Sequence, residues 1–185
     1  MATAEILPAF SYACGMISAK LSHGERVLLQ NVFFSLSSGE RLAIIGETGS
    51  GKTMLALSIL GLLPSNVRMQ GGCIQMDGTA LPTGKQLQTL RGDKLVYIPQ
   101  NGAEFLLPVR TVRKQLYDSL KKLGLPRKEF PASAAEKLRL AGFDAPETIL
   151  DKYPFQLSGG MAQRVTIALA ACSRARLLIA DEPTN

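Results

Sequence analysis

"GETGSGKT", residues 46 to 53, decides the fold. It fits G-x-x-x-x-G-K-[ST] and stands between an apolar run, Leu42 to Ile45, and the helix-forming run "MLALSILGLL", which stops at Pro64. A strand, a glycine-rich loop and a helix in that order make a cradle for phosphate. Gly46, Glu47, Thr48, Gly49, Ser50 and Gly51 form the loop, in which Gly49 and Gly51 let backbone N–H groups turn inward around a β-phosphate. Lys52 brings a point charge to the β- and γ-oxygens, and Thr53 offers a hydroxyl to Mg²⁺. The helix N-terminus adds its partial positive charge. A chance match in a chain of this length is on the order of a per cent, so a glycine-rich turn that binds nothing is the weaker reading.

The flanking sequence supplies the strands and helices. "VLLQNVFFSLSSGERLAIIG" alternates apolar and polar residues, turns at Ser38-Gly39 and becomes continuously apolar at Leu42 to Ile45, which predicts a half-exposed strand followed by a buried one. "GGCIQMDGTAL" predicts a short strand and a turn at Asp77-Gly78, and "KLVYIPQ" a buried strand ending at Pro99-Gln100. From about residue 108 to 156 the pattern is helical. Val112, Leu116, Leu120 and Leu123 share one face, Lys114, Asp118, Lys121 and Lys122 lie elsewhere, and Gly124 and Pro126 close the segment. A second helix is expected around Ala134 to Ala141, another over "MAQRVTIALAACS", and a strand at "LLIA". Helices inserted between two strands indicate an α/β core.

Two further motifs carry chemistry. "LLIADE" is an apolar strand ending in Asp181, a carboxylate placed to hold the water shell of a phosphate-bound metal. Glu182 follows directly and, on an extended chain, points to the opposite side, where it would serve as general base towards a water. "LSGGMAQR" puts Ser158, Gly159 and Gly160 at a helix start, and the two glycines leave first-turn N–H groups uncovered as a second anion site. Each motif alone has an ordinary structural explanation. In fixed order behind the loop, they do not.

Composition excludes several classes. Of the 185 residues, 46% are hydrophobic and 19% charged, so the chain buries a real core and disorder is not expected. The net charge of +6 is spread along the chain without a run of like charges, so no dedicated nucleic-acid surface is expected. Cys14, Cys73 and Cys172 are far apart and His23 is the single histidine, which predicts neither a zinc site nor a disulfide framework, but reduced thiols in a cytoplasmic protein. There is no basic segment before Lys20 and Pro8 breaks the first apolar stretch, so no secretory signal is expected. "MLALSILGLLP" is about half of the roughly 20 residues that span a bilayer.

With these motifs in hand, the sequence resembles the ATP-binding subunits of ABC transporters over nearly all its length. "GETGSGKT" is similar to the Walker A loop, Gln100 in "YIPQ" to the Q-loop, "LSGGMAQR" to the signature, "LLIADE" to Walker B, and "PTN" to the start of the D-loop. "GLLP", "LPVRTVRKQL" and "YPFQLSGGMAQR" resemble the peptide/nickel importer branch. The resemblance implies an α/β fold: a P-loop NTPase core with an N-terminal antiparallel β element and a helical subdomain over about residues 101 to 160. It implies ATP and Mg²⁺ as cofactors, with Thr53, Gln100 and Asp181 around the metal and Glu182 and Gln100 catalytic. It also implies a head-to-tail dimer with a second ATP-binding subunit, the same or a related chain. There, Ser158, Gly159 and Gly160 close in trans on the γ-phosphate held by Gly46 to Thr53. The other implied partners are transmembrane permease subunits and an extracytoplasmic solute-binding protein, with no nucleic acid, and the implied location is peripheral, on the cytoplasmic face of the inner membrane. The implied activity is ATP hydrolysis driving uptake of a di- or oligopeptide, nickel or a metal chelate.

Alternatives are a soluble ABC ATPase without a transport role, or an inactive nucleotide-binding fragment. Three departures from the family pattern stand out. Leu21 occupies the place of the usual adenine-stacking aromatic, Tyr12 and Phe10 being unassigned to that role, and Leu107 stands where a polar residue is common. No histidine follows Walker B. The sequence therefore reads as one domain, 1 to 185, interrupted before the switch histidine, and the 185 residues alone are expected to be inactive.

Overall fold

The computed structural model describes residues 11–21 and 27–183, which fall into two compact units, Met1–Thr89 and Leu90–Asn185. Phe10, His23, Thr184 and Asn185 lie outside the described residues. In the first unit, β1 (Ser11–Leu21), β2 (Val27–Ser37), β3 (Val67–Met76) and β4 (Thr79–Ala80) form an antiparallel sheet in the order β2-β1-β3-β4. β1 sits inside it because its apolar residues find partners on both edges. Tyr12, Cys14, Ile17 and Ala19 are buried, and the switch from even to odd positions falls where the register shifts, between Cys14 and Ile17 against β2 and between Gly15 and Ser18 against β3. An extra residue there turns the strand over. β3 and β4 meet at Asp77-Gly78, with φ of 53° and 71°, the paired left-handed conformation that closes a two-residue hairpin. The turn expected from that dipeptide is therefore observed.

α1 (Lys52–Leu60) ends at Gly61 and buries Leu55, Ile59 and Leu60. α2 (Gly84–Leu90) was not expected, since seven residues with Leu87 alone buried carry too little periodicity to read. One expectation fails here. Residues 40 to 47 form no strand; Leu42 and Ile44 are each 47% exposed and Ile45 is 93% exposed. A strand that is apolar on both faces forms only when neighbours pair both edges and cover both faces. The four-stranded sheet of this unit does not take the segment in, so its hydrophobicity alone cannot order it.

Tyr12 is 1% exposed, and its hydroxyl has no hydrogen-bond partner among the described residues. Burial pushes its pKa well above that of an ordinary phenol, so it stays protonated. An unsatisfied hydroxyl costs about 1–3 kcal/mol. Tyr12→Phe removes it and keeps the ring that packs on Phe34 at 6.0 Å between centroids. Urea unfolding should show the variant about 1 kcal/mol more stable; a loss of that size would mean the hydroxyl is satisfied in solution.

The second unit begins with β5 (Leu95–Ile98), continues through α3 (Val112–Lys122), α4 (Phe130–Leu140), α5 (Glu147–Leu150) and α6 (Gly159–Ala170), and returns in β6 (Leu177–Ala180). β5 and β6 pair in parallel, from Leu95 opposite Leu177 to Ile98 opposite Ala180. Val112, Leu116 and Leu120 of α3 are fully buried, as their spacing predicts, against Phe130, Ala134 and Leu138 of α4 and Ala162, Val165 and Ala168 of α6. Thr111 caps α3 by accepting the Lys114 N–H at 3.4 Å. Arg164 fixes the outer face of α6, donating to the Gly142 carbonyl at 2.8 Å with its guanidinium 4.6 Å from the centre of the Phe143 ring. No helix of the described residues is long and apolar enough to cross a membrane.

Candidate functional site

The glycine-rich loop is built by its last residue. Gly51 has a φ of 98°, and a Cβ there would lie 2.9 Å from the Leu28 carbonyl oxygen and 3.1 Å from Leu29 Cδ2, so only glycine fits. As the N-cap residue of α1 it offers no side chain, which leaves the first turn of the helix without a side-chain acceptor. The Lys52 ammonium folds back over the loop and donates to the carbonyls of Gly46 at 2.8 Å and Glu47 at 3.0 Å. The Ser50 N–H donates to the Glu47 carbonyl at 3.1 Å and closes the turn. Residues 46 to 50, with Thr48 and Gly49 among them, are solvent-exposed, and Thr53 is half-buried in the first turn. A glycine-rich turn at a helix N-terminus beside a positioned cation is an arrangement suited to an anion.

In the second unit the carboxyl ends of β5 and β6 bring four polar side chains together. Asp181 is 7% exposed, and its Oδ2 accepts the Tyr97 O–H at 3.2 Å. Burial, and then the neighbouring Asp181 carboxylate, push the Tyr97 phenol up to about 12, so it stays protonated as a donor. Glu182 is exposed, and its Oε2 accepts from Gln100 Nε2 at 2.7 Å. Glu182 does not continue an extended strand, contrary to the expectation. Its φ is 43°, in the left-handed region that an L-residue with a side chain enters at a cost. Asp181 reaches Tyr97 and Glu182 reaches Gln100 on either side of this kink.

The signature segment starts α6. Ser158 is its N-cap, and its Oγ accepts the Met161 N–H at 3.3 Å, so the first turn is not wholly uncovered as expected. Gly159 and Gly160 are exposed, with nothing within 4 Å of where a Cβ would stand. Their backbone is open to a large ligand or another surface. The residues missed by sequence reasoning are Tyr97, the partner of Asp181, and Gln163, whose amide reaches Pro99 and Gly102 on either side of Gln100. A phenol inside "LVYI" is a usable signal, because a buried hydroxyl wants an acceptor. Tyr12 is a core residue, so it offers no face to an adenine ring. Leu21 ends β1 and is half-buried, whereas Leu107 is 53% exposed on a loop whose backbone is held by Gln115.

Comparison with known proteins identifies the family. Residues 29–185 match the family model described as ABC transporter. The chain is 37% identical over 164 residues to the metal-staphylopine import system ATP-binding protein CntD of Staphylococcus aureus, and 38% identical over 161 residues to the nickel import ATP-binding protein NikD of Brucella abortus. Each alignment covers 87% of this chain and 60% of the relative. It is 40% identical to the oligopeptide transport ATP-binding protein AppD of Bacillus subtilis, over 85% of this chain and 49% of that one. The chain thus spans about half to three-fifths of the length of these relatives. Among solved structures, a dimeric ATP-binding cassette in a post-hydrolysis state with ADP and Pi is 27% identical with a TM-score of 0.80, covering 94% of this chain and 74% of that one. A family match over most of the sequence shows that the chain belongs to the ABC transporter family.

Proposed function

We propose that the complete protein is the ATP-hydrolysing subunit of an importer that drives uptake of a di- or oligopeptide, nickel or a metal chelate. The observation that carries it is the gathering of Gln100, Asp181 and Glu182 at the carboxyl ends of two parallel strands, where α/β proteins place their chemistry. The relatives named for nickel, metal-staphylopine and oligopeptide transport support the solute class. Backbone N–H groups of Gly46 to Gly51 and the Lys52 ammonium bind the triphosphate. Gln100 orients a water and Glu182 takes its proton as the water oxygen bonds to the γ-phosphorus. The bond to ADP breaks and inorganic phosphate leaves.

Magnesium, which keeps several waters and needs few protein oxygens, would take the Thr53 hydroxyl as a ligand, with Gln100 and the Asp181 carboxylate as the further proposed metal residues. The ion would supply charge neutralisation at the phosphate oxygens. Ser158, Gly159 and Gly160 meet the nucleotide of a second ATP-binding subunit, which fits their exposed backbone. Permease subunits in the membrane and an extracytoplasmic solute-binding protein complete the assembly, with this chain peripheral on the cytoplasmic face of the inner membrane.

The test is ATP-dependent dimerisation of the complete protein in the Glu182→Gln background, followed by light scattering, with Ser158→Arg added as the challenge. Arginine at position 158 leaves the P-loop untouched and fills the space over α6. ATP affinity of the monomer should stay unchanged, and the dimer should vanish. Dimers that persist would refute the trans arrangement.

A further inference from the structure

The segment that carries Gln100 is gripped on both sides by one side chain of α6. Gln163 Nε2 donates to the Pro99 carbonyl at 2.8 Å, and Gln163 Oε1 accepts the Gly102 N–H at 2.7 Å. The bonds fall on the residue before Gln100 and on the second residue after it. One turn along α6, the Thr166 hydroxyl donates to the Gly102 carbonyl at 3.1 Å, shared with Ala162. The backbone is pressed onto the helix: a Cβ on Gly102 would come within 2.7 Å of Gln163 Cα and 2.9 Å of Thr166 Oγ1. Beyond the bracket, Gln100 Nε2 donates to Glu182 Oε2 at 2.7 Å.

We infer that Gln163 is a positioning residue, which sets Gln100 against Glu182 and ties that placement to the signature turn of α6. This rests on the ATPase reading above. α6 does not need Gln163 for packing, since Ala162, Val165 and Ala168 are already almost fully buried in the core of the second unit. Both ends of the Gln163 amide are instead spent on the loop. Gln163 stands five residues after the Ser158 cap, on the same rigid helix. A displacement of the signature turn therefore moves Gly102 and Pro99 with it, and Gln100 leaves or approaches Glu182. Information that a phosphate has met Ser158 reaches the water-orienting glutamine through two hydrogen bonds.

The experiment uses the complete protein with Mg-ATP and the variants Gln163→Met, Gly102→Ala, Gln100→Ala, and Gln100→Ala combined with Gln163→Met. Methionine keeps length and volume and removes both bonds. Without nucleotide, amide exchange at Gly102 should accelerate at least about tenfold in Gln163→Met, while exchange at Val165 matches the parent. In turnover, kcat should fall about 10- to 100-fold, as for a misplaced group, with KM changed less than about threefold. Gly102→Ala breaks the bracket from the loop side and should reproduce that split. The double variant should be no worse than Gln100→Ala alone, because the two residues act as one unit. Unchanged exchange at Gly102 overturns the bracket, and losses that add in the double variant overturn the positioning role. A parent protein that hydrolyses no ATP refutes the ATPase reading instead, and the exchange measurement still decides the bracket.

Discussion

Lys52→Ala should abolish ATP binding, with affinity falling by at least about 100-fold in a calorimetric titration. The Lys52 ammonium is placed over the loop by the Gly46 and Glu47 carbonyls, at 2.8 and 3.0 Å. A cation held there faces the β- and γ-phosphate oxygens of a bound triphosphate without further ordering. Charge-assisted hydrogen bonds are each worth about 1.5–3 kcal/mol. Two of them amount to about 3–6 kcal/mol, or more than about two decades in Kd. The substitution also removes the brace between the loop's own carbonyls, so a thermal melt has to show that the antiparallel sheet and α1 persist. They should, because α1 is anchored by the buried Leu55, Ile59 and Leu60, none of which the substitution alters. Micromolar binding retained by a folded Lys52→Ala protein would contradict the assignment of residues 46 to 53 as the phosphate cradle.

How much of this was legible in the sequence depends on whether the deciding physics was local. The hairpin at Asp77-Gly78 was legible because the dipeptide itself supplies the two left-handed conformations the turn requires. α3 was legible because Val112, Leu116 and Leu120 fall on one face at helical spacing. Leu42 to Ile45 misled because an apolar run says only that burial is favourable; whether a strand forms depends on partners that no local pattern reveals. Glu182 misled for a related reason. The period of two holds for an extended chain, and the φ of 43° departs from one just past the end of β6. Gln163 was invisible as a functional residue. A glutamine within "MAQRV" has no pattern of its own, and its role exists only because α6 passes beside the Pro99 to Gly102 segment, more than 60 residues earlier.

The second large effect should come from Glu182→Gln, which converts a hydrolysing protein into one that binds ATP and holds it. The substitution keeps the shape of the side chain, and the new amide oxygen still accepts from Gln100 Nε2, so the 2.7 Å contact that places both groups survives. The left-handed backbone at position 182 is no harder for glutamine than for glutamate. What disappears is the group that takes the proton from water. General-base removal costs about 10²–10⁴ in rate, so single-turnover phosphate release should slow by that factor while ATP affinity stays within about threefold of the parent. Bound ATP then outlives each encounter between subunits, and a stable dimer should accumulate with ATP but not with ADP. Asp181 provides the internal control: its carboxylate accepts from Tyr97 and is proposed to serve the metal rather than the water, so Asp181→Asn should weaken magnesium binding without trapping a dimer. Turnover at the parent rate in Glu182→Gln would assign the base elsewhere, and the left-handed kink that presents this side chain to Gln100 would then need another explanation.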